Sequence, residues 1–280
     1  MTETAKHKAE LSGVSETALL TLKVRADEAR RPDALIDDPV AVRLADSIDF
    51  DFAKFGQTHR QDMALRSKAF DLATRDYLST HPDATVVALA EGLQTSFWRL
   101  DAALPESRFH WLSVDLAPIV QIRERLLPPS PRVVSVAQSA LDYSWMDLVS
   151  TDAATEGVFI TAEGLLMYLQ PEESLGLIAE CAKRFPGGRM VFDLAPAWFT
   201  GLARKGWLRP SRHYAVPAMP FSRTASELAD LVHTMPGVRA VHDLPLPAGR
   251  GRVMNAVIKN VVNSGHLHAL RPTFTLLEFG

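Results

Sequence analysis

A single cysteine in 280 residues, Cys181, rules out an intrachain disulfide. No apolar run approaches the roughly 18 to 20 residues that cross a bilayer. The opening stretch MTETAKHKAE also lacks the apolar segment and small-residue cleavage site of a secretory signal. A reducing, cytoplasmic setting without a membrane partner is therefore expected. An excess of one charge is missing too: 30 basic and 33 acidic residues give a net charge of -3. No broad positive surface remains for a phosphate backbone, so nucleic acid is not an expected partner. The short basic cluster Gly249-Arg250-Gly251-Arg252 follows two prolines and reads as a solvated loop. Metal ligation has little support, because the nine histidines are scattered and the closest pair, His266 and His268, has no acidic or cysteine companion nearby. What remains is an ordinary globular composition, 47% apolar and 22% charged. No repeat or low-complexity linker marks a boundary, so residues 1–280 are expected to form a single domain.

Past a polar first dozen residues, helix-spaced apolar positions occupy Ser15 to Arg30, Pro39 to Asp46 and Met63 to Thr80. They predict a helical N-terminal extension over 1–80, closed by the turn formers His81-Pro82-Asp83. The period then changes. Thr85 to Ala90 is a short continuous apolar run rich in β-branched residues, the pattern of a strand buried on both faces. Similar runs recur at Phe109 to Leu116, Arg132 to Ala137, Gly157 to Ala162 and Arg189 to Leu194, with helical stretches at Ala117 to Leu127 and Glu172 to Phe185. Strand and helix in alternation predict a parallel α/β sheet covered on both faces. Trp198 to Phe221 breaks the pattern with aromatics, basic residues and prolines, and reads as an insertion over the sheet edge. A helix at Thr224 to His233, a strand at Val238 to Leu244, a helix at Val253 to Val262 and a strand at Thr273 to Phe279 complete the prediction.

In open α/β sheets ligands sit beyond the carboxyl ends of the strands, so the segments that follow each strand are the candidates for function. Gly92, in Ala90-Glu91-Gly92-Leu93-Gln94-Thr95, lets a backbone approach a ligand, or serves only a tight turn. Asp115 follows the second strand about 20 residues later, where a carboxylate accepts hydrogen bonds from ribose hydroxyls; capping the next helix is the other use of an aspartate there. Ser139-Ala140-Leu141 opens a segment that could cover an adenine ring or pack in the core. Glu163, in an otherwise apolar run from Ala162 to Leu169, is costly to bury alone, which points to a ligand or to a nearby arginine. A dinucleotide needs the turn G-x-G-x-x-G for its pyrophosphate, and here Gly92 stands alone. None of the four tyrosines has a lysine four residues on, so the pair used by short-chain dehydrogenases is missing.

Together, Arg25-Ala26 with Ile36-Asp37-Asp38-Pro39, Arg66 within Ala64 to Asp71, Glu91 to Arg99, Val114-Asp115-Leu116, Ser139 to Asp142 and Ala162 to Leu169 resemble the leucine carboxyl methyltransferase family. The likeness is to its bacterial branch of small-molecule and polyketide O-methyltransferase-like proteins. The resemblance implies the class I methyltransferase fold, a Rossmann-like sheet of seven strands with the last antiparallel, and S-adenosylmethionine as cofactor. It also implies that Arg66 holds the methionyl carboxylate while Arg25 helps to close the site. Glu91 and Gly92 would bring backbone to the methionyl moiety, Asp115 and Leu116 would hold the ribose, Ser139, Ala140 and Leu141 would frame the adenine, and Glu163 would meet the amino group. The chain departs from the family at the first loop, where G-x-G-L-D-T-R is common and Ala90 to Ser96 lacks the first glycine, the aspartate and the arginine. Many relatives also carry aspartate where Ser139 stands.

A sulfonium is already an activated methyl donor, so the enzyme needs an aligned nucleophile, a desolvated pocket and, for a hydroxyl acceptor, a base. The aromatic insertion, taken as 195–225, is the candidate lid over a small-molecule substrate, and His213 within it is a candidate base. An O-methyltransferase acting on a small organic molecule is the leading expectation. Protein C-terminal carboxyl methylation, a nicotinamide oxidoreductase and a cofactor-binding protein without turnover are the alternatives.

Overall fold

The computed structural model describes residues 6–58, 60–149, 156–263 and 270–280. Residues 1–5 of the polar opening stretch and the His266 and His268 pair lie outside the described residues. Two short strands of the N-terminal extension, β1 (His7–Lys8) and β2 (Ile48–Asp49), pair in parallel. The main sheet contains β3 (Thr85–Leu89), β4 (His110–Asp115), β5 (Val133–Ala137), β6 (Val158–Ala162), β7 (Arg189–Leu194), β8 (Val238–Asp243) and β9 (Thr273–Phe279). Its order is β5-β4-β3-β6-β7-β9-β8. All pairs are parallel except those of β9, which runs antiparallel to both β7 and β8. The seven-stranded sheet with a reversed final strand is the architecture that the family resemblance implied.

The strand sequence alternates between two cores because successive side chains leave a strand on opposite faces. Val86 and Ala88 of β3 join Trp111, Phe159 and Val191 in one cluster, while Val87 and Leu89 join Val114, Ile160 and Phe192 in the other. The central strands β3 and β6 are buried along their whole length, which is why their sequences are continuously apolar. β5 lies at the edge, and its Val134 is exposed.

Helices α1 (Thr17–Ala29), α2 (Pro39–Ser47) and α3 (Asp62–Thr80) form the predicted extension. α2 begins as its sequence dictates, with Pro39 in its first turn and the Asp38 side chain accepting a hydrogen bond from the Ala41 amide at 2.9 Å. α1 is buried along most of its length, and its Leu19, Leu22 and Val24 form a third cluster with Leu93 and Ile119. Helices α4 (Ser96–Ala103), α5 (Ala117–Leu126) and α6 (Pro171–Arg184) connect the sheet strands. The α6 start carries a capping box of Gln170 and Glu173. α4 is absent from the sequence-based reading. The expected helix at Thr224 to His233 is two short ones, Ala225–Ala229 and Leu231–Thr234, and that at Val253 to Val262 passes from an α-helical turn into a π-helical one at Ile258.

The aromatic insertion contains helix α7 (Ala197–Arg204). Beyond α7 it is fastened to the N-terminal extension: Tyr214 packs edge-on against Phe55 with ring centres 4.9 Å apart, and the Ser211 hydroxyl donates to the Lys54 carbonyl. Tyr214 belongs to the same cluster as α1 and α2. The Gly249 to Arg252 cluster is not the free loop its sequence suggested, because the Arg250 guanidinium pairs with Glu28 of α1 and, at 2.7 Å, with Asp33.

Candidate functional site

The strand order reverses between β4-β3 and β6-β7, so the loops after β3, β4 and β6 meet at one edge of the sheet. A cavity of about 930 Å³ opens there. Nine of the ten residues singled out from sequence line it: Arg66, Glu91, Gly92, Asp115, Leu116, Ser139, Ala140, Leu141 and Glu163. Arg25 does not. It lies behind the wall, where its guanidinium donates to the Leu93 carbonyl at 2.7 Å and stands 3.8 Å from Asp38. Burial pulls the Arg25 pKa down to about 10, with Asp38 opposing, so the side chain stays cationic at neutral pH.

The loop after β3 makes a sharp reversal through two left-handed residues, Ala90 at φ +48° and Gly92 at φ +61°. At Gly92 a side chain would be strained, and a Cβ there would stand 3.1 Å from the Ala18 Cβ of α1. Ala90 bears that strain, as a residue with a side chain held at a positive φ. An Ala90→Gly variant is expected to be more stable by about 1 kcal/mol. Urea unfolding checks this, as a raised midpoint with an unchanged slope.

Asp115 joins β4 to this loop. Its Oδ2 accepts from the Gly92 amide at 2.6 Å and its Oδ1 from the Leu116 amide at 2.7 Å. The start of α5 takes no side-chain cap, so the capping alternative for Asp115 does not apply. Burial raises the Asp115 pKa, and the two amide hydrogen bonds pull it back. The Glu91 carboxylate faces away from Asp115's partners: it accepts from Trp111 Nε1 at 3.1 Å and pairs with Arg123 at 2.8 Å. Arg123 also donates to the carbonyls of Gly92 and Gln94 at 2.9 and 2.8 Å, so this pair fixes the loop from beneath.

At the opposite end, Arg66 of α3 donates through Nε to Glu163 Oε1 at 2.9 Å. The arginine that sequence reasoning offered as the alternative partner of Glu163 is thus Arg66 itself. Glu163 also accepts from Ser67 Oγ at 3.2 Å and from Gln94 Nε2 at 2.8 Å on both oxygens. Asp193 of β7 completes the group, its Oδ1 accepting from the Gly164 amide at 2.7 Å and its Oδ2 lying 3.7 Å from Arg66 Nη1. Gly164, at φ +67°, permits this approach, since a Cβ there would meet Arg66 Nη1 at 3.1 Å. Burial works against the Arg66 charge, but Glu163 and Asp193 outweigh it and hold the guanidinium firmly protonated. The Asp193 pKa is raised by burial, with Arg66 and the Gly164 amide opposing.

A second layer stands behind Glu163. Arg99 of α4 grips Asp71 with Nε and Nη2 at 2.7 and 3.0 Å, donates through Nη1 to Asp38 at 2.6 Å, and reaches Thr95 and Ser96 at 2.8 Å each. Asp38 therefore caps α2 with one oxygen and holds the β3 loop with the other. Sequence reasoning missed Ser67, Gln94, Arg99, Arg123 and Asp193. For Asp193 a signal existed: a carboxylate inside the buried run Arg189 to Leu194 is as costly without a partner as Glu163 was judged to be.

Beyond Asp193 the cavity wall becomes apolar, with Trp198, Phe199, Trp207, Tyr214, Met219 and Phe274. Trp145, two turns past the Ser139 segment, is fully buried and donates to the Ala140 carbonyl at 3.0 Å, so that segment both packs in the core and lines the cavity. His213, considered as a base, is exposed and does not line the cavity.

A charged cradle at one end, a hydrogen-bonded carboxylate near the other and an apolar extension fit a zwitterionic, ribose-bearing ligand. The leucine carboxyl methyltransferase family model matches residues 18–182, a span that holds all ten residues expected to bind the cofactor but not Asp193 or the aromatic insertion. The chain belongs to the leucine carboxyl methyltransferase family. It is accordingly an S-adenosylmethionine-dependent methyltransferase. The chain is 30% identical over 197 residues to the tetracenomycin polyketide synthesis O-methyltransferase TcmP of Streptomyces glaucescens, covering 69% of this chain and 70% of that one. It is 26% identical over 208 residues to the S-adenosyl-L-methionine-dependent methyltransferase dpfgK of Gibberella zeae, covering 67% and 68%. Among solved structures, a provisionally assigned methyltransferase from Thermobifida fusca aligns over 99% of this chain and 96% of its own, with a TM-score of 0.54 and 16% identity, which bears on the fold alone. Within this methyltransferase, among the described residues, no group of His, Cys, Asp and Glu could hold a metal ion, and no helix is long and apolar enough to cross a membrane.

Proposed function

We propose that this methyltransferase is an O-methyltransferase whose acceptor is a hydroxyl or carboxyl group of a small organic molecule. The cavity carries the reading. Its volume of about 930 Å³ lies near the upper end of the range usual for small-molecule sites, about 300 to 1,000 Å³, and its aromatic half adjoins the charged cradle. That is room for a donor and a modest apolar acceptor side by side. The likeness to a polyketide O-methyltransferase supports the same substrate class.

In this proposal Arg66 pairs with the methionyl carboxylate through its Nη groups, which make no hydrogen bond to another described residue, and Glu163 receives the ammonium. Glu91 and Gly92 offer loop backbone, Asp115 and Leu116 meet the ribose, and Ser139, Ala140 and Leu141 flank the adenine. Arg25 acts at one remove, by holding the Leu93 carbonyl and so the loop shape. The aromatic insertion over 195–225 serves as the lid on the acceptor, and residues 1–280 work as one domain. Bound S-adenosylmethionine supplies an electrophilic methyl group on its sulfonium; the chain's own contribution is alignment and exclusion of water. Tyr168 and Tyr214 line the cavity, and burial raises both phenols, Tyr168 to about 12, so neither is a ready base at neutral pH. A carboxylate acceptor needs no proton removed, and a phenol of low pKa needs little help.

The test is turnover with labelled S-adenosylmethionine against aromatic phenols, aromatic and polyketide-like carboxylic acids, and peptides ending in a free carboxylate. Transfer to the small molecules is expected. Transfer to peptides alone would replace this reading with protein carboxyl methylation.

The pKa directions also predict how donor binding depends on pH. Asp115 and Asp193 are raised by burial, so each takes up a proton at a higher pH than an ordinary carboxylate, and each serves the donor only when ionised. Affinity for S-adenosylmethionine is expected to weaken as pH falls from neutral into the acid range, earlier than ordinary carboxylates would make it do, and to recover on return. Calorimetric titration across that range checks it. Unchanged affinity throughout would mean that neither carboxylate bears on the donor.

A further inference from the structure

We infer that Asp193 is a donor-selecting residue, which gives the site one more negative than positive charge at its reacting end and so favours the cationic sulfonium donor over the neutral thioether product. The inference rests on the donor reading above.

The buried charges of this region fall into matched and unmatched sets. Arg25 and Arg99 are balanced by Asp38 and Asp71, and Arg123 by Glu91. Asp115 has no cation but spends its oxygens on the Gly92 and Leu116 amides at the far end of the cavity. At the reacting end the group is Arg66 with both Glu163 and Asp193, one cation beside two carboxylates. S-adenosylmethionine carries an ammonium, a carboxylate and a sulfonium, one net positive charge. S-adenosylhomocysteine lacks the sulfonium charge and is net neutral.

Of the two carboxylates, Glu163 is the occupied one. It pairs with Arg66 through a hydrogen bond and accepts from Ser67 and Gln94. Asp193 accepts from the Gly164 amide on Oδ1 and takes no side-chain hydrogen bond among the described residues, its Oδ2 standing beyond hydrogen-bond distance of Arg66 Nη1. Asp193 is only 4% exposed, so the field of its charge is poorly screened by water.

Its place in the chain brings it to the reacting end. The residues that follow, Leu194, Ala195, Pro196, Trp198 and Phe199, all line the apolar half of the same cavity. Asp193 is therefore the last charged side chain of β7 before the aromatic wall. The sulfur of a bound donor must stand at this same boundary, because its methyl group has to face the acceptor. A carboxylate there attracts the sulfonium and loses that attraction once the methyl has left, which promotes exchange of product for fresh donor.

Calorimetry on the whole protein at fixed pH and ionic strength tests this with S-adenosylmethionine, S-adenosylhomocysteine and sinefungin, whose ammonium replaces the sulfonium. The wild-type protein is expected to bind both cationic ligands at least fivefold more tightly than S-adenosylhomocysteine. Asp193→Asn is expected to shrink that preference by at least fivefold, chiefly through weaker cationic ligands, and Asp193→Glu to keep most of it. Equal weakening of all three ligands in Asp193→Asn would overturn the inference and make Asp193 an anchor for the shared amino group. An unchanged ratio would overturn it as well. Should the variants fail to fold, the sinefungin comparison on wild-type protein still decides: affinity for sinefungin equal to that for S-adenosylhomocysteine sinks the idea. Binding of none of the three by wild-type protein would instead overturn the donor reading itself.

Discussion

Replacing Arg66 by methionine is expected to cost about 100-fold or more in affinity for S-adenosylmethionine, and a substantial part of the stability as well. The affinity estimate follows from two charge-assisted hydrogen bonds to a carboxylate, together worth about 3 kcal/mol or more. The stability loss has a separate origin. Without the guanidinium, Glu163 and Asp193 face one another as buried like charges, and removing one partner of a buried charge group costs about 3 to 5 kcal/mol. A double variant separates the two effects. Arg66→Met combined with Asp193→Asn removes one of the orphaned charges, so it is expected to recover part of the lost stability while donor affinity stays low. Chemical denaturation and calorimetric titration read the two quantities independently. Normal donor affinity in the folded single variant would remove Arg66 from the donor site.

Arg99→Leu is the second large effect, and here stability leads. Arg99 does not itself line the cavity; it bridges the buried Asp38 and the half-buried Asp71, and steadies Thr95 and Ser96. Its loss leaves Asp71 without its cation and Asp38 with Arg25 alone, 3.8 Å away, at a cost of about 3 to 5 kcal/mol. Against a typical total of about 5 to 15 kcal/mol, that is a drop of roughly 10 °C in melting temperature. Arg108→Ala supplies the contrast. Arg108 and Asp83 form a pair of comparable geometry, 2.8 Å apart, but in solvent, with the Arg108 side chain 72% exposed. Breaking it is expected to change stability by no more than about 0.5 kcal/mol. Similar melting shifts for the two variants would show that burial does not set the worth of these pairs.

The sheet was legible in the sequence because burial on both faces leaves a strand few polar positions. Thr85 to Leu89 and Val158 to Ala162 are read almost to the residue for that reason. β5 was found although it lies at the edge, since its valines follow strand propensity while Val134 faces solvent. Helix α4 escaped notice because Ser96 to Ala103 is only two turns long and follows the candidate loop without a side-chain cap. The breaks in the other two helices depend on local packing rather than period. Among the site residues, those in loops after strands were recognisable from position. Ser67 and Gln94 were not, because their meaning lies in whom they meet, at Glu163 in a contact between distant segments. Asp193 carried the signal of a carboxylate in a buried strand, but not the identity of its partner Arg66. Arg25 illustrates the converse. Its motif was visible, but sequence cannot tell a residue that touches a ligand from one that shapes the loop beside it.

The two-handed role of Asp38 bears on how this molecule could be pared down. It is tempting to treat the first three helices as an appendage that decorates an autonomous catalytic body, and to seek a minimal enzyme by cutting them away. One carboxylate argues against it, because the same side chain that starts α2 also clasps Thr95 and Arg99, which lie behind the loop that floors the cavity. Trimming would strip the roof contributed by Ala18 and Thr21 and slacken the floor in a single cut.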